Sequence, residues 1–333
     1  MTRWLITGAG GQLATAFADL LAGDPLATVT LMREEETDLR DTDAVLRAVR
    51  AAAPDVVLHT AAYTAVDAAE SDEATALAVN DGGTANLVAA LGHLAARPDA
   101  DRGTHGPDAG RGGHSDPDAD LPLLVSFSSD YVFDGHKDRP YVESDEPSPQ
   151  SAYGRSKLAQ ERATLAWPAG IVVRTAWLFS PIGTNFVKTI VRLAGERVAQ
   201  ARERAGGESL GIPNISPRPT PLRVVDDQVG SPTYAPHLAA GVVELLLRGP
   251  APGIYHIAGS GACSWLELAR EIVTRAGLPV EVLPQTTAEL GRPAPRPAYS
   301  ALASERGAPV LPPWHDGVAA CLAALAGDAK EST

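Results

Sequence analysis

In the stretch "QSAYGRSKLAQE", residues 150–161, a phenol and a primary amine stand four residues apart, Tyr153 and Lys157. Side chains at that spacing share one face of a helix. Together they could move a proton. A tyrosine has an ordinary pKa near 10, and an ammonium beside it favours the phenolate and lowers that value. A phenol brought closer to neutrality is a better general acid for an oxygen that is gaining charge. The spacing alone does not demand chemistry, because an exposed pair on a helix surface has the same letters. The rest of the chain must supply something for the phenol to act with.

The first supply is a phosphate loop. The apolar run "RWLITG" (3–8) leads into "TGAGGQLA" (7–14), and a helical pattern follows. Gly8, Gly10 and Gly11 let the backbone turn tightly at a helix N-terminus, where amide groups can face a pyrophosphate. Gln12 and Leu13 complete the expected cofactor contacts. Ala14 stands where a third glycine is usual and is still small enough for close helix–sheet packing. An ordinary strand–helix turn would also use glycines, but this one sits after the first strand and opens the first helix. The second strand ends in Met32–Arg33 rather than in an acid, and Arg33 could pair with a 2′-phosphate. Glu34, Glu35 and Glu36 pull the other way. NADPH is therefore expected, with NADH as the alternative. Asp38 could accept from the adenine amine and Leu39 could cover the ring.

These residues need a frame. Short apolar runs at 3–8, 27–32, 55–62, 123–129 and 171–177 read as strands covered on both faces. Helical stretches at 12–22, 41–53, 72–96 and 152–166 lie between them, and Asp41 and Pro54 bracket the second. Alternating strand and helix predicts an α/β fold, a Rossmann-type doubly wound parallel sheet with a smaller C-terminal α/β substrate lobe. The dinucleotide-binding domain is expected over 1–175 and a mainly substrate-binding lobe over 176–330, with some elements returning to the first domain. In the lobe, 222–249 reads as strand, turn and helix, 253–259 as a strand and 279–285 as a last strand. Ser264 and Glu267 form a capping-box pattern for a helix over 264–277. Residues 97–120 contain no large apolar side chain and predict a solvated, mobile loop. His105 and His114 lie there among six aspartates without a scaffold for a metal. The Gly/Pro-rich stretch 201–221 predicts a loop or flap.

Composition narrows the function. The chain has 333 residues, 44% of them hydrophobic, and a net charge of −13. Lys and Arg are scattered, so neither nucleic acid nor a membrane surface is an expected partner. Cys263 and Cys321 are too few for a zinc site or a disulfide framework and suit a reducing compartment. With no signal peptide and no membrane-length apolar run, a cytoplasmic location is expected.

The specific resemblance comes from combined motifs. "HTAAYTAVDAAESD" (59–72), "SFSSDYVFDG" (126–135) and "YGRSK" (153–157) together resemble the extended short-chain dehydrogenase/reductase family. "VRTAWLFSPIGTNFVKTI" (173–190), "VVDDQVGSPTYA" (224–235) and "RPAYSAL" (296–302) are similar to the dTDP-4-dehydrorhamnose reductases within it. The resemblance implies a triad of Ser129, Tyr153 and Lys157, with Ser129 where the family usually has threonine. It implies Ala61, Ala62 and Tyr63 along the cofactor, and Thr64, Val66, Ser129, Asp130, Tyr131 and Trp177 near the sugar. Some members hold a metal through a glutamate at the position of Ala16, so no metal is expected here. Simpler roles fit several of these residues as well: a strand-end hydroxyl for Ser129, core packing for Trp177, turn capping for Asp130.

The implied reaction is NAD(P)H-dependent reduction of the 4-keto group of dTDP-4-dehydrorhamnose to dTDP-L-rhamnose. Ser129, at the carboxyl end of a central strand, would donate to the carbonyl oxygen alongside Tyr153, and two donors on one developing oxyanion lower the barrier. Lys157 would also hold the nicotinamide ribose. A reductase of another dTDP-4-keto-deoxysugar in a secondary-metabolite pathway, or a non-catalytic NADP-binding regulatory subunit, are the alternatives. The expected partners are a nucleotide-sugar substrate and, as a possible assembly, a homodimer.

Overall fold

The computed structural model describes residues 1–96, 121–207 and 218–331. The chain divides into two compact units. The first comprises Met1–Val132, Ser151–Arg174 and Gly249–Tyr255, and the second Phe133–Gln150, Thr175–Arg248 and His256–Thr333. The two are of similar length. Residues 133–150, which precede Ser151–Arg174 in the chain, belong to the second.

The first unit is built on β1 (Thr2–Thr7), α1 (Gln12–Ala22), β2 (Ala27–Met32), α2 (Thr42–Ala52) and β3 (Val56–His59). Two short helices follow, α3 (Val66–Ala69) and α4 (Glu73–Leu77), then α5 (Gly83–Ala95), β4 (Leu123–Ser129), α6 (Ala152–Leu165) and β5 (Gly170–Thr175). The sheet has six strands, with the strand Gly253–His256 at one edge beside β5, then β4, β3, β1 and β2. The pairings β1–β2, β1–β3 and β3–β4 are all parallel. Every residue of β3 and β5 is buried, which is why their sequences are continuous apolar runs rather than alternating ones. Leu5, Met32, Val45, Val49, Leu87, Leu91 and Leu124 form the main core of this unit.

Three local expectations change. The strand at 253–256 belongs to the main sheet, not to the C-terminal lobe. The strand read over 55–62 stops at His59, because Thr60 turns back and donates from its hydroxyl to the carbonyl of Thr7 at 2.6 Å. The helix read over 72–96 is broken by a π-turn at Ala78–Gly82, and the fully buried Asn80 sits in that turn.

α6 opens on Ser151, whose hydroxyl accepts from the amide of Gly154 at 3.0 Å, and Glu70 accepts from the amide of Ala152 at 2.8 Å. The face it buries is polar: Ser156, Lys157, Gln160, Glu161 and Thr164 are all hidden. Glu161 meets Arg174 of β5 in a bidentate pair at 2.8 and 2.7 Å, with both side chains almost completely buried. The hydroxyl of Ser128 also donates to Glu161, at 2.5 Å.

The second unit is assembled from short parallel and antiparallel pairs. β6 (Leu178–Phe179) pairs with Thr233–Tyr234, and β7 (Leu222–Val225) pairs with Val282–Gln285. Val229–Gly230 pairs with Cys263–Ser264. Its core gathers Phe179, Ile190, Leu222, Leu268, Ile272 and Trp314 around α7 (Phe186–Gly207) and α9 (Trp265–Arg275), with α8 (Ala235–Leu247) between them in sequence. The expected capping box is present: Ser264 accepts from the amide of Glu267, whose carboxylate accepts from the amide of Ser264. α7 continues to residue 207, into the stretch read as a loop, because "ARERA" is made of strong helix formers. Residues 97–120 and 208–217, where a loop and a flap are expected, lie outside the described residues.

Removing one partner of the Glu161–Arg174 pair leaves a buried charge uncompensated. Glu161→Ala is expected to cost roughly 3–5 kcal/mol of unfolding free energy, read from the denaturant midpoint at constant slope. A loss below about 1 kcal/mol would mean that the pair behaves as a solvated one.

Candidate active site

The site is assembled where β1, β3 and β4 end. Gly8 has φ +71°, and a Cβ there would lie 2.7 Å from the Cα of Ala61, so only glycine allows the loop and the segment after β3 to approach this closely. Gly10 has φ +94° and open space where a side chain would go. Gly11 caps α1 without any side-chain hydrogen bond, and the first turn of α1 carries no acid. A helix N-terminus of this kind accommodates a pyrophosphate. Ala14 is buried, as the close packing of α1 requires, and so is the side chain of Leu13, which leaves its backbone as the group that could meet a phosphate. The amide of Ala9 donates to the carbonyl of Met32 at 3.2 Å, which draws the loop to the end of β2. Arg33 follows and is exposed, forming an ion pair with none of the described acidic residues. The residues present thus fit a dinucleotide with a 2′-phosphate.

Two adenine-side expectations meet a different geometry. The Asp38 carboxylate is held by Arg40, through its amide at 2.9 Å and its guanidinium at 2.7 Å, which keeps the carboxyl below its usual pKa. Leu39 does not cover a surface: its side chain is buried in the core against Gly83, where a Cβ would lie 2.9 Å from its own.

Tyr153 and Lys157 are not an exposed pair, being 9% and 3% exposed. The hydroxyl of Ser129, the last residue of β4, donates to the carboxylate of Asp130 at 2.8 Å and accepts from the amide of Tyr131 at 3.2 Å. The Tyr131 ring meets the Tyr153 ring edge-on, with centroids 5.4 Å apart. Burial pushes the Tyr153 phenol up from its usual value, and the Asp130 charge adds to the rise. A hydrogen bond with Ser129 opposes it. This differs from the expectation that Lys157 lowers the phenol. The ammonium is turned instead to the carbonyl of Phe127, at 2.6 Å, and to the amide oxygen of Gln160. Burial lowers the Lys157 pKa to about 7, against a smaller upward pull from Glu161.

Residues that the motifs did not flag tie these parts together. Asn80 accepts from the amide of Tyr63 at 2.8 Å and donates both to the Tyr63 carbonyl and to the Ser156 hydroxyl, at 3.2 and 2.9 Å. Ser156 in turn donates to the Tyr153 carbonyl at 2.8 Å. Thr84 donates its hydroxyl to the carbonyl of Asn80, so its lone pair must receive a proton from His59 Nε2 at 3.0 Å. His59 Nδ1 then accepts from Thr7, at 2.8 Å, whose hydroxyl oxygen accepts from the amide of Ala61. Burial, assisted by the Lys157 charge, takes the His59 pKa down to about 3. His59 is a neutral spacer, not an acid or base. Asn80 had no local signal, whereas Gln160 and Glu161 lie one turn beyond Lys157 and were readable from helical spacing.

Of the remaining expected residues, Ala61, Ala62, Tyr63 and Val66 are half-buried in the segment after β3 and Thr64 is exposed. Val66, Tyr63 and Tyr131 pack on Ala69, Ala152 and Tyr153. Trp177 belongs to the second unit. It has φ +48°, its ring stacks on Trp265 with centroids 3.5 Å apart at 5°, and a Cβ on Gly230 would touch it at 2.4 Å. Among the described residues no cluster of three or more His, Cys, Asp or Glu could hold a metal ion, and Ala16 is buried.

A glycine loop on a doubly wound sheet, with a buried Tyr–Lys pair at the strand ends, defines a dinucleotide-binding domain of the reductase type. Comparison with known proteins makes this specific. The family model described as "RmlD substrate binding domain" matches residues 2–97, 119–201 and 212–326, and the chain belongs to that family. It is 37% identical to a dTDP-4-dehydrorhamnose reductase of Mycobacterium tuberculosis, over 97% of this chain and 93% of that protein. It is 35% identical to a probable dTDP-4,6-dihydroxy-2-methyloxan-3-one 4-ketoreductase of Streptomyces antibioticus, over 91% and 88%. A crystal structure of dTDP-4-dehydrorhamnose reductase from Bacillus anthracis in complex with NADP is similar at a TM-score of 0.79. Its identity is 30%, and the match covers 97% of this chain and 99% of that one.

The buried lysine makes stability depend on pH. The unfolded chain keeps this proton up to the ordinary pKa of 10.5, while the folded chain releases it near 7. The unfolded state therefore binds more protons between those values, and stability contributed at this site rises with pH across that window. Relative to Lys157→Met, the unliganded wild type is expected to gain stability steadily from pH 7 to 10. Parallel stability curves for the two chains would contradict the burial of a titrating amine.

Proposed function

We propose that the chain reduces the 4-keto group of dTDP-4-dehydrorhamnose with NADPH, giving dTDP-L-rhamnose. The observation that carries this reading is the state of Tyr153. Its phenol is buried, raised in pKa and hydrogen-bonded with Ser129, so at neutral pH it holds a proton that it can give away. NADPH, when bound, supplies the hydride for the carbonyl carbon. Tyr153 would transfer its proton to the carbonyl oxygen as that oxygen gains charge, and the Ser129 hydroxyl, turning its one proton from Asp130, would donate to the same atom. Lys157 commits two N–H groups to Phe127 and Gln160 and keeps a third for the cofactor ribose. The glycine loop at the end of β1 and the N-terminus of α1 would seat the pyrophosphate, and Arg33 would pair with the 2′-phosphate. Ala61, Ala62 and Tyr63 would follow the cofactor, and Thr64, Val66, Asp130 and Tyr131 would serve the sugar.

The Streptomyces relative supports a second reading of the same chemistry, reduction of a different dTDP-linked keto sugar. A purely regulatory role is disfavoured, since the chain retains the phenol, the hydroxyl and the ammonium together. A cytoplasmic enzyme acting as a homodimer belongs to this proposal. The thiols of Cys263 and Cys321, both free and buried, suit the reducing compartment. The described residues form no helix long and apolar enough to cross a membrane.

The test is NADPH oxidation with dTDP-4-keto-6-deoxyglucose and the matching 3,5-epimerase, with identification of the product sugar. Tyr153→Phe is expected to lower kcat/KM by about a hundredfold to ten-thousandfold and to leave the fold intact by circular dichroism. Wild-type turnover by that variant would remove Tyr153 from the mechanism, and a different product sugar would favour the second reading.

A further inference from the structure

Among the described residues, the buried side chains with an unpartnered nitrogen or oxygen are Trp4, Gln160 and Thr175. Gln160 is the one bonded to the proposed catalytic machinery. It is 1% exposed, its amide oxygen accepts from the Lys157 ammonium, and its Nε2 has no partner. A buried donor left unpaired costs about 1–3 kcal/mol, and an apolar side chain would fill the same space without that cost. The acceptor half of the amide must therefore matter more than the donor half.

We propose that Gln160 is a positioning residue for the reaction: its amide oxygen and the carbonyl of Phe127 form a two-point cradle that holds Lys157 charged and in place. The inference rests on the reading of Lys157 as the ammonium that works beside Tyr153. Lys157 lies on α6, Phe127 on β4, and Gln160 one turn beyond Lys157 with its own carbonyl accepting from Thr164 at 3.0 Å. A carbonyl oxygen stabilises an ammonium by a charge-assisted hydrogen bond and gives no comparable benefit to the neutral amine. Removing that acceptor should make the proton easier to lose.

Of the other charged and titratable groups around Lys157, Glu161 favours its charged form, but without a direct hydrogen bond to it. Tyr153 and Glu161 share its helix, and Glu161 is committed to Arg174 of β5. His59 faces it from β3 as a neutral ring, and Asp130, after β4, acts on Tyr153. Glu70 and Glu73, beside the start of α6, are engaged with the amide of Ala152 and with Arg155. Phe127 and Gln160 are the groups bonded directly to the ammonium.

The experiment separates the cradle from the reaction. The lysines of the chain are Lys137, Lys157, Lys188 and Lys330, so the 15Nζ and 13Cε signals of selectively labelled unliganded protein can be assigned by comparison with Lys157→Met. Gln160→Met is expected to lower the Lys157 titration midpoint by about one pH unit, the size of one charge-assisted hydrogen bond. Gln160→Glu, which puts a carboxylate at the same place, is expected to raise it. The alkaline limb of the kcat/KM profile should move in the same direction in each variant. Unchanged midpoints in both variants would overturn the proposal, whatever the activity, because a merely structural glutamine moves stability and not the titration. If Gln160→Met does not fold, the upward shift in Gln160→Glu decides alone. If the midpoints move as expected but no keto sugar is reduced, the proposed reaction fails and the cradle stands.

Discussion

The ammonium of Lys157, closed off from water, is the constraint on which the dinucleotide-binding unit depends. A buried charge is tolerated only with partners. Phe127 on β4 gives a carbonyl, Gln160 on the same helix gives another, and Glu161 gives the nearest negative charge. Glu161 is itself buried and needs Arg174 on β5 and Ser128 on β4. Three adjacent elements are thereby locked in register by one network. This accounts for the composition of α6, which buries serine, lysine, glutamine, glutamate and threonine where an ordinary helix buries leucine. It also bears on His59, which burial, assisted by the ammonium itself, keeps neutral between two threonines.

Burial acts on Tyr153 and Lys157 in opposite senses. It raises the phenol and lowers the amine, since in each case it disfavours the charged form. The pair keeps the proton on the tyrosine, where a ketone reduction needs it. An ammonium pointed straight at the phenol would release that proton too early in the absence of substrate. The observed orientation, towards Phe127 and Gln160, avoids this. Asp130 works in the same direction by adding a negative charge near the ring. Pairs of groups whose environments push their pKa values apart mark acid–base roles, and this pair is of that kind.

What the sequence made legible were features with local causes. The glycine loop, the alternation of strand and helix, the capping box at Ser264 and the Tyr–Lys spacing each follow from a few adjacent residues. What it hid depends on contacts across the sheet. Nothing near residues 253–256 announces that they extend the main sheet rather than the C-terminal unit. The π-turn at Asn80 exists because one side chain must reach Tyr63 and Ser156 at once, two segments far apart in the chain. Leu39, expected to cover the adenine ring, packs in the core of the first unit beside Gly83, a neighbour far off in the chain. The reversed setting of the tyrosine pKa was hidden for the same reason: it depends on where an amine points, and spacing fixes only the face that it occupies.

The motif "VVDDQVGSPTYA" can be read within the second unit residue by residue. Asp226 accepts from the Ser264 hydroxyl at the start of α9, at 2.7 Å, and Asp227 accepts from the amide of Thr287 at 2.9 Å. Gln228 accepts from the Trp265 indole at 3.1 Å and donates to the Thr287 hydroxyl at 2.8 Å. Gly230 clears the space that the Trp177 ring occupies. Asp226, Gln228 and Gly230 thus support the stack of Trp177 on Trp265, directly or through the start of α9. Trp177 sits at φ +48°, a left-handed conformation that a bulky residue adopts only when its surroundings compel it. Core packing would be satisfied by an unstrained aromatic. The strain, together with a motif spent on maintaining it, argues that the direction in which Trp177 presents its indole is the property being held.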